Sequence, residues 1–349
     1  MAIWFLLIYL VGAGSAFFLL MCVNPYGTGV LSRLSRFLQI TLPAWASGLT
    51  DRVCGPRFAP AVTYYCSYIF KKPNPSFQII YLLLSLGGFY IYVTYGFVFL
   101  PNPYISYSHV HYGSFLFALC LYSFYKTCST RPGVITKNTI EKLQDLYPVD
   151  GLLYTVKECT TCHLPKPARS KHCSVCNICV ARFDHHCIWM NSCVGLYNYK
   201  FFLLFLLAHS ILCMYGGTLG LLIFMFQIKQ QNLLTGVFRD SQGHRFRGSW
   251  NLVLQYIVGH QTAFFFVVVL CLMMGVVLGI FFVHHLWLVN QNLTTNERMK
   301  REELLAHLEA RKTKFPEKKD EVEAEIKKLA GNPYNKGFYA NLREIVLAY

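Results

Sequence analysis

The stretch RFDHHCIWMNSC, from Arg182 to Cys193, places two histidines and two cysteines beside an aspartate. Such a group can bind a metal ion, because thiolates and imidazoles are the usual ligands of zinc. It can also supply a nucleophile or a redox switch, since a histidine that takes the proton from a thiol makes the sulfur reactive. The twelve residues allow all three roles, and the rest of the chain has to decide between them.

Seven of the 14 cysteines fall between Cys159 and Cys193. They follow the frame Cys-x2-Cys-x9-His-Cys-x2-Cys-x2-Cys-x4-Asp-His-His-Cys-x5-Cys. Two Cys-x2-Cys pairs at this distance are typical of zinc sites, and disulfides are not expected in a reducing compartment. Two closed sites of three cysteines and one histidine would use six cysteines, and one would remain.

Spacing alone does not identify the remaining cysteine. Cys187 is the best local candidate, because Asp184 and His185 lie beside it. An aspartate that orients a histidine next to a thiol follows the logic of a catalytic triad. Two alternatives stay open at this point: Cys187 can be a further ligand in a shared metal arrangement, or an inert small apolar residue.

Long apolar blocks surround this segment. Of the 349 residues, 54% are hydrophobic and 14% are charged, and a helix needs roughly 20 apolar residues to cross a bilayer. The sequence therefore predicts an all-α polytopic membrane protein with about five transmembrane helices and a cytosolic cysteine-rich double zinc-binding domain. The predicted spans are Ala2–Val23, Phe77–Leu100, Val110–Tyr125, Tyr199–Phe226 and Thr262–Val289.

Two of these blocks have alternatives. Val110–Tyr125 is short and contains His111, and it can also be interpreted as a buried core helix. Ala2–Val23 could be a signal peptide, but it lacks a preceding basic residue and an obvious cleavage site, which favours an anchor.

Basic residues predict the orientation in the membrane. Six lie in residues 33–72, ten in 126–200 and twelve from 298 onward, but only four lie in 229–247. Because positively charged loops stay in the cytosol, the first three groups are predicted to be cytosolic and the N-terminus lumenal. The net charge of +15 is spread over these loops, which argues against nucleic-acid binding. A transporter or channel is disfavoured, since the spans contain almost no charged residues.

Composition and charge together predict six segments. The tail 290–349 contains a charged helical hairpin, 296–330, which is predicted to pack on itself or to meet a partner. The predicted segments are an N-terminal transmembrane helix (1–23), a cytosolic loop (24–76), two transmembrane helices (77–125), the cysteine-rich domain (126–198), two more transmembrane helices (199–289) with a lumenal loop (227–261), and the cytosolic tail (290–349).

The cysteine frame, with Asp184-His185-His186-Cys187 inside it, resembles the DHHC family of protein S-acyltransferases. Further motifs of that family follow in the family's order. They are Asn198 with Phe202 (Asn-x3-Phe), Thr294-Thr295-Asn296-Glu297 (Thr-Thr-x-Glu), and Asn332-Pro333-Tyr334 near the C-terminus.

The resemblance implies two structural zinc ions, each bound by three cysteines and one histidine, with Cys187 left unbound. One site would use Cys159, Cys162, His172 and Cys179, and the other Cys173, Cys176, His186 and Cys193.

The resemblance also implies an enzyme, a protein-cysteine S-palmitoyltransferase. Cys187 would take a palmitoyl group from acyl-CoA and pass it, in a ping-pong scheme, to a cysteine of a membrane-associated protein on the cytosolic side. His185 would act as base and Asp184 would fix its tautomer. Thr295 would hold Asp184, or simply cap a helix. An endoplasmic reticulum or Golgi membrane is the expected location.

Supporting residues are expected as well. Asn332 and Tyr334 would pack the tail onto the helices. Four basic side chains could contact the CoA phosphates, or serve only the positive charge of a cytosolic loop. These four are Lys166, Arg169, Lys171 and Arg182.

Two features depart from the family pattern. Ile188 stands where the family usually has proline, which predicts slower or retuned acylation rather than its loss, and the predicted N-terminal span exceeds the family's minimal four. The alternative function is a zinc-stabilised membrane adaptor whose Cys187 becomes acylated but transfers nothing.

Overall fold

A computed structural model describes residues 29–42, 45, 60–61, 64–65, 67–69 and 72–348. The predicted span Ala2–Val23 and most of the predicted loop 24–76 lie outside the described residues. The described part divides into two compact units. The first unit contains Ile80–Tyr122 and Phe205–Ile280, and the second contains mainly Ser123–Leu204 and residues 281–348.

The described residues are mostly helical, with three small antiparallel sheets of two strands each. The helices are α1 (Val30–Arg36, continued by a wider turn, Phe37–Thr41), α2 (Ser76–Tyr95, followed by a tighter turn, Phe97–Phe99), α3 (Ser108–Ser129), α4 (Ile140–Gln144), α5 (Tyr199–Gln230), α6 (Trp250–His260), α7 (Thr262–Asn290), α8 (Thr295–Lys314), α9 (Lys319–Ala330) and α10 (Phe338–Val346). The strands are β1 (Lys171–Cys173), β2 (Ile178–Val180), β3 (His185–Cys187), β4 (Ser192–Val194), β5 (Val237–Arg239) and β6 (Arg245–Arg247).

Three of the described helices are long and apolar enough to cross a membrane: Ser76–Phe99, Tyr199–Gln230 and Thr262–Asn290. They stand where three of the five spans are predicted. The block Val110–Tyr125 lies within the 22-residue helix α3, but α3 is not among the three, and its polar residues include His111. The count of about five spans therefore stays a prediction.

Small residues let α5 and α7 approach closely in the first unit. A β-carbon added to Gly217 would lie only 2.5 Å from the side chain of Leu272, and one at Gly275 would lie 2.7 Å from the sulfur of Met214. Helices in a membrane gain stability mainly from such close packing, since lipid is as apolar as their side chains. The core beside this contact includes Ile223, which is fully buried.

The second unit has little apolar core around its short strands. Each of β1 to β4 has only three residues, and the buried clusters beside them are small and include ligand-type cysteines. Segments of this size bury too little apolar area to balance the loss of chain entropy, and they depend on disulfides or metal ions. The cysteine-rich segment therefore needs cross-links other than packing.

The charged tail forms the expected pair of helices. Leu308 of α8 and Val322 and Leu329 of α9 are buried against one another. On the outside, Arg311 is paired with Glu321 and Glu325 at 3.1 and 3.3 Å. The hairpin packs on itself, and Leu152 and Leu153 complete its core.

A buried ion pair joins α8 to the cysteine-rich segment. The Arg169 guanidinium donates to both carboxylate oxygens of Glu297, at 2.6 and 2.8 Å, and to Asn292. It is sandwiched between the rings of Tyr147 and Tyr334, 4.6 and 4.7 Å from their centroids. The Arg169 side chain is fully buried. Such a pair is costly to break on one side, because the remaining charge stays buried without a counter-charge.

We expect Arg169→Met to lower the free energy of unfolding by about 3–5 kcal/mol. The double change Arg169→Met with Glu297→Leu should cost less than the single change, since the Glu297 carboxylate is then not left buried without Arg169. Denaturant unfolding of the detergent-solubilised full chain measures both. Arg311→Met is the matched control, because its ion pairs lie at the surface and are worth about 1 kcal/mol or less. Equal losses for Arg169→Met and Arg311→Met would contradict the role of the buried pair.

Candidate active site and metal centres

Two sets of ligand-type side chains converge in the cysteine-rich segment. Within each set, one ligand atom per residue lies within 4.8 Å of every other. The sets are Cys159, Cys162, His172 and Cys179, and Cys173, Cys176, His186 and Cys193.

Each set combines a Cys-x2-Cys turn with one cross-strand pair. In the first turn the backbone N–H of Cys162 points to the Cys159 sulfur at 3.5 Å. His163, the next residue, has a φ of +50°, a left-handed conformation that closes the turn. The cross-strand pair is His172 of β1 opposite Cys179 of β2.

The second set repeats this construction one motif later. The N–H of Cys176 points to the Cys173 sulfur at 3.5 Å. His186 of β3 lies directly opposite Cys193 of β4. Because Cys173 follows His172 in the same strand, the two sets interleave along the chain.

The spacing of the ligand atoms fits a tetrahedral metal ion in each set. Nδ1 of His172 lies 3.3 to 3.7 Å from the three sulfurs of its set, and so does Nδ1 of His186. The sulfurs of Cys176 and Cys193 are 3.7 Å apart. Around a zinc ion with ordinary bond lengths, the corresponding edges are about 3.6 Å for N···S and about 3.8 Å for S···S. The donors match such an ion in kind and in distance.

The two-residue period of strand β3 separates metal ligation from the reactive group. Successive side chains of a strand point to opposite faces. His186 therefore faces the second metal set, whereas His185 and Cys187 face the other way. Cys187 lies opposite Ser192 in the register, and it belongs to neither set.

Asp184 holds His185 by its Nδ1 atom. The carboxylate oxygen Oδ2 accepts the hydrogen bond from His185 Nδ1 at 2.7 Å. Thr295 donates twice to the same carboxylate, from its backbone N–H at 2.8 Å and from its hydroxyl at 2.9 Å. With the proton on Nδ1, Nε2 of the neutral ring is the acceptor that is free for a thiol.

Thr294, rather than Thr295, caps helix α8. Its hydroxyl accepts from the backbone N–H of Glu297, and the Glu297 carboxylate accepts from the N–H of Thr294 at 2.8 Å, which completes a capping box. The hydroxyl of Thr295 is thereby available for Asp184.

The pKa values of Asp184, His185 and Cys187 all favour the charged forms, with a protonated His185 beside the Asp184 carboxylate and the Cys187 thiolate. Burial alone would raise the pKa of Asp184, but the hydrogen bond and charge of His185 hold it well below its usual range. Burial would lower the pKa of His185, but hydrogen bonds to Asp184 and Cys187 raise it to about 10. Burial opposes ionisation of the Cys187 thiol, yet its hydrogen bond to His185 lowers the pKa below the usual value.

Aromatic side chains cover the histidine. The ring of Phe202 meets the ring of His185 edge to face at 5.2 Å, and the ring of His285 lies 6.4 Å away. The Tyr199 hydroxyl and Nδ1 of His285 share a hydrogen bond of 2.9 Å. The sequence predicted no role in the site for Tyr199 or His285. Because they come from separate helices, no local pattern could have linked them to Asp184.

The structure does not bring together the four basic residues predicted to contact CoA. Arg169 is paired with Glu297, and Arg182 is buried with its guanidinium over the Tyr199 ring. Lys166 is half-buried and Lys171 is exposed. Buried guanidinium groups engaged inside the protein are not available to a phosphate.

The C-terminal motif contacts the residues around Arg169. The Asn332 side chain donates to the backbone oxygen of Gln291, and its own Oδ1 accepts from the N–H of Tyr334 at 3.1 Å. The Tyr334 hydroxyl donates to the carbonyl of Pro148 at 2.9 Å. Asn341 was not predicted; it is fully buried and donates to the carbonyl of Val289 at 3.1 Å.

Ile188 occupies a turn that does not need its N–H group. Two backbone hydrogen bonds, both of 3.2 Å, hold the turn. The N–H of Met190 donates to the carbonyl of Cys187, and the N–H of Asn191 donates to the carbonyl of Ile188. No backbone hydrogen bond from the Ile188 N–H occurs within the described residues. A proline and an isoleucine are therefore equivalent here in backbone hydrogen bonding.

We expect the purified chain to hold two metal ions, as measured by elemental mass spectrometry. Cys176→Ser should remove at least one of them, because a closed site loses one of its four ligands. Cys187→Ser is the matched control and should keep both, since its sulfur belongs to neither set. Loss of metal from Cys187→Ser would contradict the division of strand β3 described above.

Comparisons with known proteins find similar sequences. Residues 153–302 match the model of the DHHC palmitoyltransferase family. The chain is 34% identical over 292 residues to a protein of Neurospora crassa named palmitoyltransferase SWF1, covering 80% of this chain and 66% of that protein. It is 27% identical over 331 residues to a protein of Mus musculus named palmitoyltransferase ZDHHC4, covering 95% and 93%.

Similarity is higher over a shorter stretch in another fungal relative. A palmitoyltransferase SWF1 of Debaryomyces hansenii is 55% identical over 104 residues, 29% of this chain and 27% of that protein. The chain spans just under two thirds of the Neurospora relative and 63% of a similar protein of Emericella nidulans. The region that matches the family model contains both ligand sets, Asp184, His185, Cys187 and Thr295, and this part of the chain is similar to DHHC palmitoyltransferases.

Proposed function

We propose that the chain is a protein S-acyltransferase that moves a long-chain acyl group, most often palmitoyl, from acyl-CoA to protein cysteines. One observation carries the proposal. Of the seven cysteines in residues 159–193, six lie in the two metal sets, and only Cys187 stands apart, hydrogen-bonded to a histidine that Asp184 orients. The names of the relatives support the same activity.

The proposed reaction is two successive thioester exchanges. The thiol proton of Cys187 passes to Nε2 of His185, and the thiolate attacks the acyl carbonyl of acyl-CoA. The carbon–sulfur bond to CoA breaks, and CoA leaves as a thiolate that takes up a proton. A cysteine of the target protein then attacks the Cys187 thioester in the same way, which regenerates the Cys187 thiol. This is a ping-pong scheme with an acyl-enzyme.

We propose zinc as the ion in both ligand sets, since three thiolates and one imidazole at tetrahedral spacing suit it best. Four protein ligands close each site, so zinc would stabilise the fold and take no direct part in the exchange. Its contribution is to hold β3 in register, which keeps His185 and Cys187 on one face.

A lysine cluster is the best candidate for the CoA phosphates. Burial lowers the pKa of Lys300, and the nearby charges of Lys157, Lys171 and Lys166 lower it further. Four ammonium groups that repel one another are stabilised when a polyanion binds between them. We therefore retain Lys166 and Lys171 as proposed CoA contacts, add Lys157 and Lys300, and assign Arg169 and Arg182 to the support of the site.

The membrane supplies the setting for this reaction. We propose that the cysteine-rich segment and the tail are cytosolic, that the membrane belongs to the endoplasmic reticulum or Golgi, and that the substrates are membrane-associated proteins with accessible cysteines. A long acyl chain gains about 0.8 kcal/mol for each CH2 group buried in lipid. An acyl-CoA molecule whose acyl chain lies in the lipid therefore keeps its thioester at the membrane surface, on the side of the cysteine-rich segment.

Cys187→Ser should abolish acyl loading. We expect the purified wild-type chain, incubated with alkyne-tagged palmitoyl-CoA, to gain a label that hydroxylamine removes, because the thiol is the acyl acceptor. Cys213→Ser is the matched control, since Cys213 lies in α5 and in neither metal set, and it should load normally. Equal labelling of Cys187→Ser and wild type would refute the assignment.

A second incubation separates the enzyme from an adaptor. Loaded wild-type chain should transfer its label to an added cysteine peptide tethered to vesicles, and the label on the chain should fall as that on the peptide rises. A stable label on Cys187 with none on any acceptor peptide or co-expressed protein would support the non-transferring adaptor instead.

Thr295→Val should slow loading about ten-fold or more. The hydroxyl donates to the charged Asp184, and such a hydrogen bond contributes about 1.5–3 kcal/mol. Thr295→Ser should restore the rate, because serine keeps the donor. Thr313→Val is the control, since the Thr313 hydroxyl bonds only a carbonyl of its own exposed helix turn. The pre-steady-state rate of loading measures the effect, and a rate for Thr295→Val equal to that of wild type would contradict it.

A further inference from the structure

The segment between α5 and α7, residues 231–261, presents three arginines on one face of a hairpin. In the register of β5 and β6, Arg239 lies opposite Arg245, and Val237 lies opposite Arg247. Directly opposite residues of antiparallel strands point to the same face. All three arginines are exposed, and together they form what we call the arginine face.

The other side of the hairpin anchors it to the first unit. Phe238 and Phe246 are opposite each other, and their rings stack at 5.9 Å. Phe238 packs against the apolar core of that unit. Because successive side chains of a strand alternate between its two faces, packing Phe238 against the core directs the arginines to the opposite face.

No carboxylate of the described residues forms an ion pair with the arginine face. Asp240 is the acidic residue of the segment, and its oxygens are occupied within the turn. Oδ1 accepts from the N–H groups of Gln242 and His244, both at 2.9 Å, and Oδ2 bonds the His244 ring at 3.2 Å. Arg239 and Arg245 repel each other directly across the strands, which costs stability unless an external anion lies between them.

An exposed apolar stripe adjoins the arginine face. Helix α6 starts at Trp250, three residues after β6 ends, and buries Val253 and Ile257 in the core. On the same face of the helix, Trp250 and Leu254 stay exposed at 71% and 37% and lie one helical turn apart. Cations next to an exposed tryptophan and leucine are typical of segments in the head-group layer of a membrane.

A second cation and aromatic pair lies in the same unit. Lys229, at the end of α5, donates to the hydroxyl of Tyr104 at 3.0 Å, and its ammonium group lies 4.8 Å from the centre of that ring. Tyr104 is itself exposed. Tyrosines near the ends of membrane-spanning helices are enriched where lipid meets water.

We propose that residues 231–261 lie in the head-group layer and bind the phosphates of anionic phospholipids through Arg239, Arg245 and Arg247. Trp250 and Leu254 would enter the upper part of the acyl chains. The charge of the face selects an anion, and the apolar stripe beside it selects an anion carried by a lipid. This inference concerns a surface remote in sequence from Cys187, and it does not depend on the proposed acyl transfer.

Lipid selectivity of the full chain tests the proposal. The chain, purified in neutral detergent, is titrated with fluorescent phosphatidylserine and, separately, with fluorescent phosphatidylcholine in mixed micelles. Wild type should prefer phosphatidylserine. The triple change R239Q/R245Q/R247Q should weaken phosphatidylserine binding by about five-fold per arginine, or roughly 100-fold at low salt, and leave phosphatidylcholine binding unchanged.

The matched control is K318Q/K319Q/K327Q, which removes three exposed lysines of α9 and the turn before it and the same total charge. It should bind phosphatidylserine as wild type does. Equal losses in both triple variants would overturn the proposal in favour of a general charge effect. Unchanged binding by the arginine variant would overturn it as well.

Two further arms separate a lipid from a free phosphate. Soluble glycerophosphoserine should fail to displace the labelled lipid; displacement at the same concentration as phosphatidylserine would overturn the membrane assignment. In bilayers containing acyl-brominated phosphatidylcholine, wild type should lose more tryptophan fluorescence than Trp250→Phe does. Equal quenching of the two would show that Trp250 stays outside the lipid, and it would also overturn the proposal.

Discussion

The two-residue alternation of strand β3 is the constraint on which the site depends. His186 must face the second metal set, opposite Cys193, and this places His185 and Cys187 on the other face. A shift of the β3–β4 register by one residue would turn Cys187 toward the second metal set, and that set would lose His186 as a ligand. In the proposed enzyme, the zinc ion therefore fixes the reactive thiol through strand geometry, although it does not touch it.

The first turn of α8 connects that strand to the rest of its unit. Thr295 donates twice to Asp184, and Glu297, two residues later, binds both Arg169 and the N–H of Thr294. One carboxylate thus caps a helix and neutralises a buried arginine. The orientation of His185 depends on the first turn of α8, more than a hundred residues away in the sequence. The Thr-Thr-x-Glu motif is therefore part of the same site as Asp184 and His185.

Much of this was predictable, and the failures have physical causes. Length and hydropathy located three helices that can span a membrane, because a long apolar block is a strong local signal. The cysteine frame indicated two metal sites, since ligand spacing is also local. Arg169 and Arg182 were misjudged because charge on its own predicts a solvent-facing residue, and only their distant partners, Glu297 and the ring of Tyr199, explain their burial. The loop 227–261 was read only as a modest lumenal connection, because a face of three arginines exists only once two strands pair.

The sequence by itself located the three apolar helices that can span a membrane and the frame of ligand-type cysteines and histidines, because each follows from composition and spacing along the chain. The family resemblance named the members of each set in advance. Only the tertiary structure decided which faces of β3 carry the metal ligand and the thiol, which threonine caps α8 and which holds Asp184, and where each arginine lies. These outcomes depend on strand register and on contacts between residues far apart in sequence, and neither is encoded in any local pattern.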